Sequence, residues 1–112
     1  MPTLEDLPPK IRDILRQLRE GLAEMYGDRL RGLVLFGSWA RGDAEEDSDI
    51  DVLVVLDEAD EPYGEVHRMM DVVYPLCLDN DVVISAIPMP ERDFRERRSP
   101  LLMNIRKEGL AA

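Results

Sequence analysis

The stretch LFGSWARGDAEEDSDIDVLVV, residues 35 to 55, leaves an apolar run through a glycine-serine turn, crosses an acidic loop and returns to an apolar run. The second run, IDVLVVL from Ile50 to Leu56, is short, rich in branched residues and nearly continuous, as a strand covered on both faces should be. Two acids, Asp49 and Asp51, stand at its mouth. Residues two apart on a strand share a face, so these carboxylates project side by side while Ile50, Val52 and Val54 point the other way into a core.

Outward from this stretch, elements alternate. Upstream, Leu7, Ile11, Ile14 or Leu15, Leu18, Leu22 and Met25 recur at helical spacing, with Pro8 or Pro9 in the first turn and Gly27 as a cap, which predicts a helix from about 9 to 26. Arg31-Gly32 then turns the chain into a first strand, Leu33 to Phe36, that stops at Gly37. Downstream, DEADEP ends the second strand. A helix over about 62–78 presents Val66, Met69 or Met70, Val73 and Leu76, and Pro75 should kink it or end it early. The run DVVISAI, Asp81 to Ile87, is expected as a third strand closed by Pro88 and Pro90. A short helical piece lies between Glu91 and Arg98. Ser99-Pro100 caps a last helix that turns Leu101, Leu102 and Ile105 inward and stops at Gly109. Strands alternating with helices imply one α/β domain over residues 1–112, its helices covering a small sheet.

Composition narrows the function. The chain has 112 residues, enough for one core and too few for a second recognition domain. A net charge of −10 argues against nonspecific binding to nucleic acid, whose phosphates are met by Lys and Arg. Arg92, Arg95, Arg97 and Arg98 gather locally, as a solvated helical face does. No apolar stretch approaches a membrane span and MPTLEDLPPK lacks a signal peptide's apolar core, so no membrane is expected and the cytoplasm is the expected address. A lone Cys77 excludes an intramolecular disulfide and suits a buried thiol; a lone His67 suits a surface.

The acids carry the chemistry. Asp81 opens the third strand as Asp49 and Asp51 open the second, with Val83 and Ser85 following on its face; if the strands are neighbours, three carboxylates converge. Two carboxylates about 5 Å apart at an effective dielectric of about 20 repel by roughly 3 kcal/mol, so such a trio takes up protons or a cation. All-oxygen ligands favour Mg²⁺ or Mn²⁺ over zinc, and Mg²⁺ completes its shell with water and substrate phosphates. Gly37-Ser38 offers the phosphate cradle: backbone N–H groups and a hydroxyl where a turn or short helix begins. Gly42 permits close backbone approach, and Arg41 can meet phosphate or pin an acid of the following loop. Trp39 suits packing better than base stacking. A calcium-loop register from Asp47 to Glu58 fails, because its required glycine is Val52 and an apolar strand follows.

The motif Gly37-Ser38-Trp39-Ala40-Arg41-Gly42 followed by Ser48-Asp49-Ile50-Asp51-Val52 resembles the signature of the minimal nucleotidyltransferases in the DNA polymerase β superfamily. Asp81 resembles that family's third carboxylate, and PLLMNIRKEGL its terminal helix. The resemblance implies an α+β fold with a single small mixed sheet. It implies nucleotidyl transfer from ATP, with Gly37 and Ser38 holding the triphosphate, and Asp49, Asp51 and Asp81 binding two Mg²⁺ ions. Asp81 would also activate the acceptor hydroxyl. Stand-alone members resemble antitoxins paired with HEPN-class toxins, implying AMP transfer to a partner tyrosine within a hetero-oligomer. A noncatalytic nucleotide-binding subunit that silences its partner by contact is the alternative. Transfer to a small molecule lacks a second domain to shape its pocket.

Overall fold

A computed structural model describes residues 3–58 and 62–112. Its sheet is built around β2, Ile50–Leu56, every residue of which is buried except the half-buried Asp51. Ile50, Val52, Val54 and Leu56 pack into one cluster with Ile14, Leu18 and Leu22 of α1 (Pro9–Tyr26) and Met69 and Val73 of α3 (Pro62–Asn80). Leu53 and Val55 pack on the opposite face with Leu102 and Ile105 of α5 (Pro100–Glu108), beside Phe94 of α4 (Glu91–Glu96). Two-sided burial explains why the strand's sequence scarcely alternates. Each fully buried leucine here stabilises the fold by about 2 kcal/mol.

The strand order is β3 (Ile84–Pro90), β2, β1 (Leu30–Phe36) and β4 (Leu110–Ala111). The strand β1 runs antiparallel to β2 with Phe36 opposite Asp51, and β3 runs parallel to β2 with Ser85 opposite Asp51. A parallel neighbour requires a crossover, which α3 supplies. The two-residue β4 covers the outer edge of β1 at Val34 and Leu35. It had no signal, since two residues show no period.

Several expectations are corrected. The first strand begins at Leu30 rather than Leu33: Arg31-Gly32 forms a bulge inside it instead of a turn before it. Pro75 does not end α3, which continues to Asn80; it sits on the exposed side, where water can serve the backbone carbonyl it leaves without a donor. Val66 and Met70 are exposed while Met69, Val73 and Leu76 are buried. On α5, Leu102 and Ile105 are buried but Leu101 is exposed.

The largest correction concerns β3, which begins at Ile84 rather than Asp81 and runs through both prolines. The Ile50 N–H donates to the Val83 carbonyl, so Val83, Ser85, Ile87 and Met89 bond towards β2. Pro88 and Pro90 occupy the alternate, outward-facing positions on an edge strand, where no ladder bond is lost and the free edge is blunted. Among the described residues no helix is long and apolar enough to cross a membrane.

Candidate active site

The site lies where β1 ends and β2 begins. Gly37 takes φ 76 and ψ −156, a conformation that disfavours any side chain. A Cβ there would also press into the Asp51 carboxylate, with its Cγ 3.3 Å away. Glycine therefore lets the backbone lie directly against Asp51. The chain then makes one helical turn, α2 (Ser38–Arg41), closed by the left-handed Gly42. The Arg41 N–H donates to the Gly37 carbonyl at 3.1 Å, and Gly42 and Asp43 donate to the Ser38 carbonyl at 3.0 and 3.1 Å. N–H groups of a first helical turn have no acceptor within the helix, leaving those of Ser38 and Trp39 for water or an anion.

The acidic loop is tied to this turn. The Trp39 indole N–H donates to the Ser48 carbonyl at 3.1 Å, and its ring packs on the core, as expected of a packing residue. The Ser48 hydroxyl accepts from the Glu45 N–H at 2.8 Å. These bonds fix the residue immediately before Asp49. Asp49 is exposed and Asp51 half-buried. Burial, and then the Asp49 carboxylate, push the Asp51 carboxyl above the usual range, while Arg41 pulls it down. Of the two roles open to Arg41, the structure shows the pinning one: it pairs with Asp43 at 3.3 Å.

Asp81 is placed differently. It occupies a left-handed turn, φ 53, between α3 and β3, and it is exposed. It lines a pocket of about 150 Å³ with Glu46, Asp47, Ser48, Val82 and Val83. Across from Asp51 on β3 stands Ser85, and one residue before the paired Ile50 and Ile84 stand Asp49 and Val83. Adjacent strands alone therefore do not make three carboxylates converge. Among the described residues no three His, Cys, Asp or Glu side chains gather to hold one ion. A pair of carboxylates, one of them pushed towards protonation, still fits Mg²⁺, which takes one or two protein oxygens and fills its shell with water and phosphate.

One polar cluster had no sequence signal. At the far end of β2, Arg29 meets Asp57 at 3.2 Å, the buried Glu65 at 3.5 Å and the face of Tyr26 at 5.4 Å. Its members come from separate elements, so no local spacing announces it. His67 is exposed, as expected; Cys77 is a half-buried free thiol.

Residues 15–100 match the family model described as a nucleotidyltransferase domain. A relative from Methanocaldococcus jannaschii, named as a protein adenylyltransferase, is 37% identical over 96 residues, which cover 85% of this chain and 90% of the relative. The protein adenylyltransferase MntA of Thermococcus cleftensis is 43% identical over 58 residues, 52% of either chain. Among solved structures, a nucleotidyltransferase from Sulfolobus solfataricus superposes with a TM-score of 0.53 at 26% identity, over 91% of this chain and 84% of the other. A toxin-antitoxin structure with AMP-PNP shares the fold, with a TM-score of 0.57 at 19% identity, over 84% of this chain and 68% of that one. The glycine-serine turn against paired aspartates thus sits within a matched domain, and the chain belongs to the minimal nucleotidyltransferase family as a nucleotidyl-transferring enzyme.

Proposed function

We propose that the chain transfers AMP from Mg-ATP to a tyrosine hydroxyl of a HEPN-class toxin, and so acts as the antitoxin of a cytoplasmic hetero-oligomer. The observation that supports this reading best is the close approach of the Gly37 backbone to the Asp51 carboxylate, as a phosphate cradle beside a cation site requires. Asp49 and Asp51 hold two Mg²⁺ ions, and Gly37 and Ser38 bind the triphosphate through backbone N–H groups and the hydroxyl. When bound, the ions supply charge neutralisation at the attacking and leaving oxygens of an in-line displacement. Trp39 keeps the acid-bearing strand in register with the cradle. Arg41, paired with Asp43, lends positive charge to the lip.

Asp81 enters the reading as the third acid, helping to hold an ion and taking the acceptor's proton. That role has its own test: an Asp81→Asn chain that still transfers at the wild-type rate removes Asp81 from the reading and leaves the pair untouched. Support for a protein acceptor comes from relatives named as protein adenylyltransferases and from the toxin-antitoxin assembly of a fold neighbour. The protein encoded beside this chain is the acceptor to try. Incubated with the chain and Mg-ATP and then weighed by mass spectrometry, it should gain one or more AMP groups. An unchanged mass together with a tight complex would favour a noncatalytic subunit that silences its partner by contact.

A further inference from the structure

Two paired rows of side chains cross the open end of the sheet on the face that carries Asp51: from β1 to β3 they are Phe36, Asp51 and Ser85, and Val34, Leu53 and Ile87. Beyond them Gly37 follows Phe36 on the β1 side, and Asp49 and Val83 stand one residue before the paired Ile50 and Ile84. The cradle at Gly37 and Ser38 thus lies on the β1 side of the carboxylates, and β3 lies on the other side. In an in-line displacement the attacking oxygen approaches opposite the leaving group. With pyrophosphate departing towards the cradle, the acceptor arrives from β3.

On this side of Asp51 the side chains of Val83, just before β3, and of Ser85 and Ile87 on it are uncharged, with Asp81, Glu46 and Asp47 confined to the mouth beyond Val83. Val83 is 58% exposed and Ile87 is 38% exposed, with the half-buried Ser85 between them. Val83 also walls the pocket beside Ser48 and Asp81. A sugar or nucleotide acceptor would call for polar partners along this row, whereas an aromatic ring gains from burying apolar surface and keeps its hydroxyl free at one end.

We infer that Val83 and Ile87 form the acceptor subsite, a platform for the ring of a partner's tyrosine that sends its hydroxyl over Asp51. This rests on the nucleotidyl-transfer reading above and adds the residues that select the acceptor. The phenolic oxygen bonds to the α-phosphorus as the bond to the bridging oxygen of pyrophosphate breaks. The phenol's proton passes to Asp81, the acid given that role in the reading above, and from there to water.

The test uses the full chain, Mg-ATP and the protein encoded beside it, with the modified residue mapped by mass spectrometry. Expected is AMP on a tyrosine, a KM for the acceptor raised at least tenfold in Val83→Asn and in Ile87→Asn, and near wild-type kinetics in Val83→Ile. The Kd for Mg-AMP-PNP should stay within twofold in all three, which also shows that each variant has folded. AMP on a serine or threonine, or an unchanged acceptor KM in both Asn variants, overturns the platform and leaves nucleotidyl transfer standing. No adduct from the wild-type chain overturns both.

Discussion

Burial and the neighbouring Asp49 carboxylate both favour the protonated form of Asp51, and Arg41 opposes them. A carboxyl raised in the folded state above its unfolded value of 3.8 binds more protons folded than unfolded, so ionising it costs stability as pH rises through that window. The metal-free protein should therefore melt a few degrees lower at pH 7 than Asp51→Asn, as followed by circular dichroism. Added Mg²⁺ should raise the wild-type Tm and leave the variant's unchanged, while transfer is lost in the variant. Gly37→Ala makes the complementary change. Alanine at φ 76 costs about 1–2 kcal/mol, and its methyl meets the Asp51 carboxylate, so denaturant midpoints and transfer rates should both fall. These residues were legible in the sequence because a strand's two-residue period and a glycine at a strand's end are local facts. Asp81 was named from the sequence too, but its position before β3 rather than on it was not legible, because that depends on where α3 stops, and α3 runs on past Pro75 to Asn80.

Elements hold the site through a few bonds. The Trp39 indole ties α2 to the residue before Asp49, so a direct bond joins the cradle to the acidic loop. Trp39→Phe keeps the ring's packing and deletes the donor, at a cost of about 1 kcal/mol in stability. Transfer kinetics should show kcat down about tenfold with KM for ATP changed less, since the acids lose their register while the cradle persists. The β3 prolines illustrate why strand ends misled. Proline ordinarily closes a strand, but here the ladder direction puts Pro88 and Pro90 on the outward side of an edge, and that direction is set by β2 rather than by local sequence. The cap of α5 was legible: the Ser99 hydroxyl accepts from the Leu102 N–H at 3.2 Å.

Across the whole molecule, the end of β2 away from the site is held by the cluster around Arg29. Arg29 bonds Asp57, Glu65 and the Glu58 carbonyl, joining the end of α1 to β2 and α3. Arg29→Met should destabilise by about 2 kcal/mol in denaturant melts, because Glu65 stays buried with less to pair it. Among the described residues the buried Tyr26 hydroxyl has no hydrogen-bond partner, and burial with the nearby Glu65 pushes its pKa up to about 12. An unfolded tyrosine ionises near 10.0, so above that pH the unfolded state gives up its proton first and stability falls. Tyr26→Phe should lessen that alkaline loss in thermal melts and cost little at pH 7. This cluster was invisible in the sequence because Arg29 and Glu65 lie 36 residues apart. The candidate site and the cluster around Arg29 thus occupy opposite ends of one strand, and variants at each should separate activity from stability. The most direct measurement is an anomalous difference map from crystals soaked with Mn²⁺ and AMP-PNP. Manganese peaks beside the Asp49 and Asp51 carboxylates, with phosphate oxygens at the Gly37 and Ser38 N–H groups, are expected. Nucleotide bound elsewhere, or no ion beside that pair, would contradict it.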